Sequence, residues 1–259
     1  ATPDLATPQA QLNAMRRIQC SAVDGQPVTY YWKGTAYSRV PGEPDRQLFR
    51  VEGMNVRQCG PLAGARDPAE FRMVSREILL YEDPVTGEVL RTWTNPWTGK
   101  TVEVLHVAND PVNGSYGLTG RDGKPVDYPF SVLGNQWWLT TGVPLFYTNP
   151  LAGNYQRYVG GTYHATELFN FFGPADDLAN RRRDIAQAAV SWQRISSWLP
   201  WMEMGDRAGL LYFHTAGRKL DRWEDLSPTM QAEIAKNYPD YRNPPPLDDQ
   251  RPNETSWTY

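Results

Sequence analysis

An all-β chain, mainly antiparallel and folded as one barrel-like meander with a few peripheral helices, is the architecture this sequence predicts. Three observations carry that expectation. Apolar and aromatic residues recur at every second position through most of the chain, the period of a strand with one buried face. Short turns built from Gly, Pro, Asn and Asp separate these runs. Helical patterns are few and short. With 259 residues, 40% hydrophobic and 21% charged, the chain is long enough for a real core and too apolar for a disordered tail. A single domain over 1–259 is expected, with an N-terminal arm at 1–17 and a Pro-rich C-terminal arm at 243–259.

Taken in order, residues 8–17 read as a helix. Residues 28–40 (VTYYWKGTAYSRV) follow the Asp24-Gly25 turn signal and read as a strand, as do 47–58 (QLFRVEGMNVRQ). A hairpin follows: FRMVSREILLYED, the turn Pro84-Val85-Thr86-Gly87, then EVLRTWTN. A second turn at Pro96-Trp97-Thr98-Gly99 leads into one strand, KTVEVLHVAND. Further strands are expected within 128–148 and 154–172, with a bend at Gly160-Gly161. Residues 185–198 fit strand or helix, and the recurrence of Val, Trp and Ile favours strand. Residues 207–215 (RAGLLYFHT) form a late strand. Two more helices are expected over 174–182 and 228–237, the latter opened by Ser227-Pro228.

Charge and motifs exclude several classes. With 26 basic against 29 acidic residues the net charge is -3, so a nucleic-acid partner is not expected. No run has the length of a membrane-spanning helix, and no membrane partner is expected. Phosphate-loop, dinucleotide and GxSxG patterns are missing. His106, His164 and His214 are far apart and lack metal-ligand spacing, so neither a metal nor an organic cofactor is expected. Asp176-Asp177 reads as helix capping. Cys20 and Cys59 leave one bridge open, although two small buried apolar side chains are the favoured reading. The start, ATPDLATPQA, fits the end left by leader removal and equally a chain trimmed otherwise, so a periplasmic or exported location is expected, with the cytoplasm open.

The candidate chemistry rests on period-two faces. His106 shares a face with Val102 and Val104, and His214 with Leu210 and Tyr212, so each brings a titratable ring to an apolar side. A satisfied core histidine is the competing reading. Leu48, Arg50, Glu52 and Met54 share one face, and Arg72 and Arg76 alternate with Val74 and Ile78. Arginines on two such faces suit an anionic or phenolate ligand, or else a solvated surface. With 10 Trp and 14 Tyr, the chain has aromatic surface to spare beyond a core.

The stretches YYWKGTAYSRV, TWTNPWTGKTVEVLHVANDPV and SWLPWMEMGDRAGLLYFHTAG make the chain resemble the bacterial domain-of-unknown-function family 1838, from about Arg17 to Leu220. Members of that family often carry export leaders. Its relatives in lignin-degrading bacteria include a phenylcoumaran γ-formaldehyde lyase, and the resemblance maps none of that enzyme's catalytic residues onto this sequence. The activity it implies is a cofactor-independent lyase on lignin-derived phenolic dimers. In that reading His106 or His214 is the base, Arg50 or Arg72 the phenolate-stabilising cation and Tyr212 a proton donor. Trp32, Trp93 and Tyr163 wall the rings, and Glu52 and Asn95 complete the binding set. A noncatalytic barrel carrying an aromatic ligand, and a hydrolase or isomerase of another ring-bearing substrate, stay open. So does a homo-oligomer.

Overall fold

The computed structural model describes residues 1–147 and 163–254. Twelve strands and three α-helices occur among them: α1 (Pro8–Gln19), β1 (Val28–Arg39), β2 (Arg46–Pro61), β3 (Phe71–Glu82), β4 (Thr92–Thr94), β5 (Thr101–Glu103), β6 (Val107–Asn109), β7 (Gly114–Tyr116), β8 (Phe130–Leu133), β9 (Gln136–Tyr147), β10 (Tyr163–Pro174), α2 (Ala175–Ala179), β11 (Ala189–Ser196), β12 (Leu210–Lys219) and α3 (Pro228–Asn237). Ten strands form one antiparallel sheet in the order β6-β3-β2-β1-β12-β11-β10-β9-β8, with β7 also on β3. The all-β antiparallel class is therefore as the period-two pattern predicts. The sheet is two meanders joined where the first strand pairs with the last, Tyr30 opposite Lys219 through Arg39 opposite Leu210. Among the described residues it curls without closing. Tyr30 on β1 meets Phe171 on β10 at 6.0 Å, and Tyr81 on β3 meets Phe213 on β12 at 6.2 Å, so its concave face folds over an interior.

The hairpin expected over 71–95 and the single strand over 100–110 are different in the structure. After the Asp83 turn only a Glu82–Val89 bridge continues the ladder. β4 and β5 make their own two-stranded sheet, and β6 is the segment that pairs with β3. The imidazole of His106 explains the break. Its Nδ1 accepts from the Tyr81 N–H at 3.0 Å, and its Nε2 lies 2.8 Å from the Leu90 carbonyl. A side chain thus holds backbone groups that would otherwise bond along the ladder, and the chain around Leu105 leaves the strand. The bend expected at Gly160-Gly161 lies outside the described residues.

Both ends of the curled sheet are plugged. At one end α1 starts at Thr7, whose Oγ1 accepts from Ala10 N–H at 3.1 Å, a cap worth about 1 kcal/mol. Its apolar stripe, Leu12, Met15 and Ile18, packs with Tyr30, Phe71 and Trp137. Lys219 closes its C-terminal end by donating to the carbonyls of Arg17, Cys20 and Ala186. Cys20 and Cys59 form a disulfide there, contrary to the reading of two separate buried thiols. The sequence separation of 39 makes this crosslink worth about 4 kcal/mol in chain-entropy terms. Spacing alone could not reveal it, because the pair meets only once α1 docks beside β2. At the other end a helical turn at Pro200–Met202 inserts Trp201, fully buried, against Phe49, Tyr81 and Trp93. On the convex face α3 buries Met230 and Ile234 over Met54, Val56, Ile78 and Leu80. The C-terminal segment crosses the same face as far as Glu254, with Pro245 O accepting from Gln58 and Glu254 N–H donating to Pro111 O.

Candidate functional site: a polar belt inside the curled sheet

Between the two apolar plugs the concave face turns polar. Asn55 and Arg57 come from β2, Ser75 and Glu77 from β3, Asn109 from β6, Glu167 from β10 and Arg194 from β11. Strand alternation puts them there: Glu77 falls between Ser75 and Leu79 on the inward face, opposite Asn55 and Asn109 in register. Glu167 and Arg194 are likewise register partners.

The groups engage one another. Arg194 donates to the Tyr163 hydroxyl at 2.8 Å and pairs with Glu167 at 3.4 Å. Asn109 donates to Glu77 at 3.2 Å. Arg57 donates to Asn55 at 2.8 Å and to Gln19, with its guanidinium 4.6 Å above the Tyr30 ring. Aromatic rings wall the belt: Trp32 and Trp192 meet edge-on at 6.4 Å, and Trp192 meets Phe213 at 5.5 Å. Trp32 lies directly over Gly53, where an added Cβ would come within 2.2 Å of the indole. Glycine on that strand is what lets the ring lie flat against the wall.

Depth tunes the charges. Burial, followed by the facing Glu167, raises the Glu77 carboxyl to about 7, with Arg57 and Arg194 opposing. Burial raises Glu167 as well, against the pull of Arg194. Burial works against the Arg194 charge, yet Tyr163, Glu167 and Tyr81 outweigh it and leave the guanidinium more firmly protonated than usual. Glu77 stays half-buried, and the side chains of Glu167 and Arg194 keep 18% and 11% of their surface accessible. Each of the three therefore keeps a little accessible surface on the inward face. A proton-exchanging carboxyl near neutrality, a second carboxylate and a fixed guanidinium within aromatic walls can orient a ring-bearing ligand, hold a developing phenolate or enolate, and move one proton.

The residues singled out from the sequence are not gathered at one place. Of that set, Tyr163 and Trp32 belong to the belt. His106 is buried with both ring nitrogens on backbone groups, and burial lowers its basicity. His214 is exposed on the convex face. Tyr212 is there too, donating to Asp45 at 2.7 Å and stacked on Tyr37. Arg50 is exposed beside the Val85 carbonyl, and Arg72 donates to the carbonyls of Leu247 and Asp249, pinning the C-terminal arm. Trp93 packs in the Trp201 plug. Asn95 is fully buried, accepting from the Trp97 and Thr98 N–H groups and donating to the Met202 carbonyl. Glu52 faces outward beneath α3. Glu77, Glu167 and Arg194 were missed, although a signal existed. Each interrupts an otherwise apolar alternating face: Met73-Ser75-Glu77-Leu79-Tyr81, Tyr163-Ala165-Glu167-Phe169-Phe171 and Val190-Trp192-Arg194-Ser196.

A family model described as "Protein of unknown function (DUF1838)" matches residues 25–259. No curated protein and no solved structure matches the chain.

Proposed function

The chain belongs to the DUF1838 family, and from that premise we propose that it is a lyase acting on phenol-bearing aromatic dimers at the interior belt, releasing formaldehyde from a phenylcoumaran-type substrate. The observation that carries the reading is Glu77, a carboxyl brought to about 7 opposite Glu167 and Arg194 inside an aromatic-walled interior. Arg194 favours ionisation of the substrate phenol, whose proton passes to solvent and is taken back from it once the ring is restored. The phenolate pushes electrons through its ring and expels the cyclic aryl ether oxygen, leaving a quinone methide. Glu77 takes the proton of the primary alcohol, the adjacent carbon–carbon bond breaks, and formaldehyde leaves. The released pair restores the aromatic ring and gives a stilbene. Glu77 then returns its proton to the expelled aryl oxide, so the step is proton-neutral. Trp32, the half-buried ring of the wall, meets the substrate rings, with Trp192 and Tyr163 packed behind it. Export belongs to the same reading: the Cys20–Cys59 disulfide is a feature of oxidising compartments.

The test mixes purified, chelator-treated protein with dehydrodiconiferyl alcohol. Formaldehyde is followed by a colour reaction and stilbene by its near-ultraviolet absorbance. The two products are expected in equal amounts. Binding without either product would make the chain a carrier and overturn the lyase reading, and so would the absence of both binding and turnover.

A further inference from the structure

Among the described residues the belt is closed off along the axis of the curled sheet and bordered at its side by an unpaired strand edge. Leu12, Ile18, Tyr30, Phe71 and Trp137 are all 2% exposed or less at one end, and Phe49, Tyr81 and Trp201 are 1% or less at the other. The sheet's two edges tell a different story. β8 covers only Gln136–Leu139 of β9, and among the described residues no strand pairs with the outer edge of β9 from Thr140 onward. Concave-face exposure rises along this stretch. Leu139 is 0% exposed, Thr141 is half-buried and Val143 is 42% exposed. Val143 is also the register partner of Glu167, so the most exposed apolar residue of this stretch stands directly beside the belt.

We propose that ligands reach the belt sideways, through the unpaired edge of β9 over Val143, and that this entrance admits aromatic ligands carrying no more than one negative charge. The proposal rests on the belt being a ligand site but not on the lyase chemistry. Charge fits this class. Facing Glu77 are Arg57 from β2, Asn109 from β6, Glu167 from β10 and Arg194 from β11. With Glu77 protonated, the two guanidinium groups exceed the one remaining carboxylate by a single positive charge, which one anion neutralises. The entrance is apolar and flanked by Thr141 and Leu145, a lining suited to a ring edge.

The probe is 1-anilinonaphthalene-8-sulfonate, a flat aromatic monoanion whose fluorescence reports binding. No free thiol occurs among the described residues, so Val143→Cys can be capped selectively with N-phenylmaleimide, with capped Ala216→Cys on the exposed convex face as control. Capping at 143 is expected to weaken probe binding by about tenfold or more, while the control matches the parent. Parent affinity should fall as pH rises through about 7, and Glu77→Gln should abolish that dependence, which locates the probe at the belt. Unchanged binding after capping at 143, no probe binding to the parent, or pH dependence untouched by Glu77→Gln would each overturn the proposal. Failure of the formaldehyde assay alone would remove the lyase reading and leave the entrance standing.

Discussion

Two pairs of acidic side chains sit on opposite faces of the same sheet, and they have been put to opposite uses. Glu52 on β2 and Glu82 on β3 face outward under α3, and only 8% and 4% of their surfaces are exposed. Burial and the neighbouring Glu52 raise Glu82 to about 9, so it stays protonated and donates to Glu52. Burial opposes the Glu52 charge, but donation from Glu82, Ser227 and Tyr31 overcomes it and holds that carboxyl below its usual range. Ser227 also accepts from Met230 N–H as the cap of α3, so this pair fastens a helix to the sheet. Glu77 and Glu167 face inward, border accessible space and stand with Arg194. The outer pair has the larger shift, while the inner pair keeps more accessible side-chain surface and faces two guanidinium groups. Perturbation by itself does not mark a site; perturbation at side chains that stay accessible and face opposite charge is the better guide.

Exchanging the pairs' roles by mutation tests the contrast. Glu77→Gln should lower kcat by about 10²–10⁴ in the formaldehyde assay with the fold intact by circular dichroism, whereas Glu82→Gln should leave kcat unchanged. In the parent the rate should rise as pH passes upward through about 7, because Glu77 accepts a proton only when ionised. Equal losses in the two variants would erase the distinction between the faces. Next in size, Glu52→Ala strands the hydroxyls of Tyr31 and Ser227 and should cost about 1–3 kcal/mol in urea unfolding, with activity per folded molecule retained. The smallest effect sharpens the outer pair. A carboxyl whose folded value lies above its unfolded value binds its proton more tightly when folded. The Glu82 contribution is therefore full below about pH 4.5 and is lost as pH rises through about 9. The urea midpoint of the parent should decline over that window, and Glu82→Gln should flatten the decline. A parallel decline in the variant would assign it to other groups.

Much of the fold is readable because strand alternation and helix caps are local. Leu211 to Thr215 alternate as a strand with one buried face must, and Thr7-Pro8 and Ser227-Pro228 mark α1 and α3 where the structure has them. Segment 83–110 defeated the same reasoning, since the His106 ring bonds backbone groups of Tyr81 and Leu90 and diverts the ladder. Histidine attracted attention as a titratable group. Here its two nitrogens serve as a substitute for strand pairing.

The sequence alone determined the antiparallel class, the extent of most long strands and the short helices, because each depends on side chains within a few residues of one another. Tertiary structure decided the pairing of β1 with β12, the disulfide, and which face of each strand looks inward. Alternation assigns residues to two faces without saying which is concave. Arg50, Glu52, Arg72 and Arg76 therefore read as site candidates, while Glu77, Glu167 and Arg194 passed as interruptions of an apolar face. Only the curl of the sheet brings those three strands together around one interior, and with that convergence come the desolvation and the facing charges that shift Glu77.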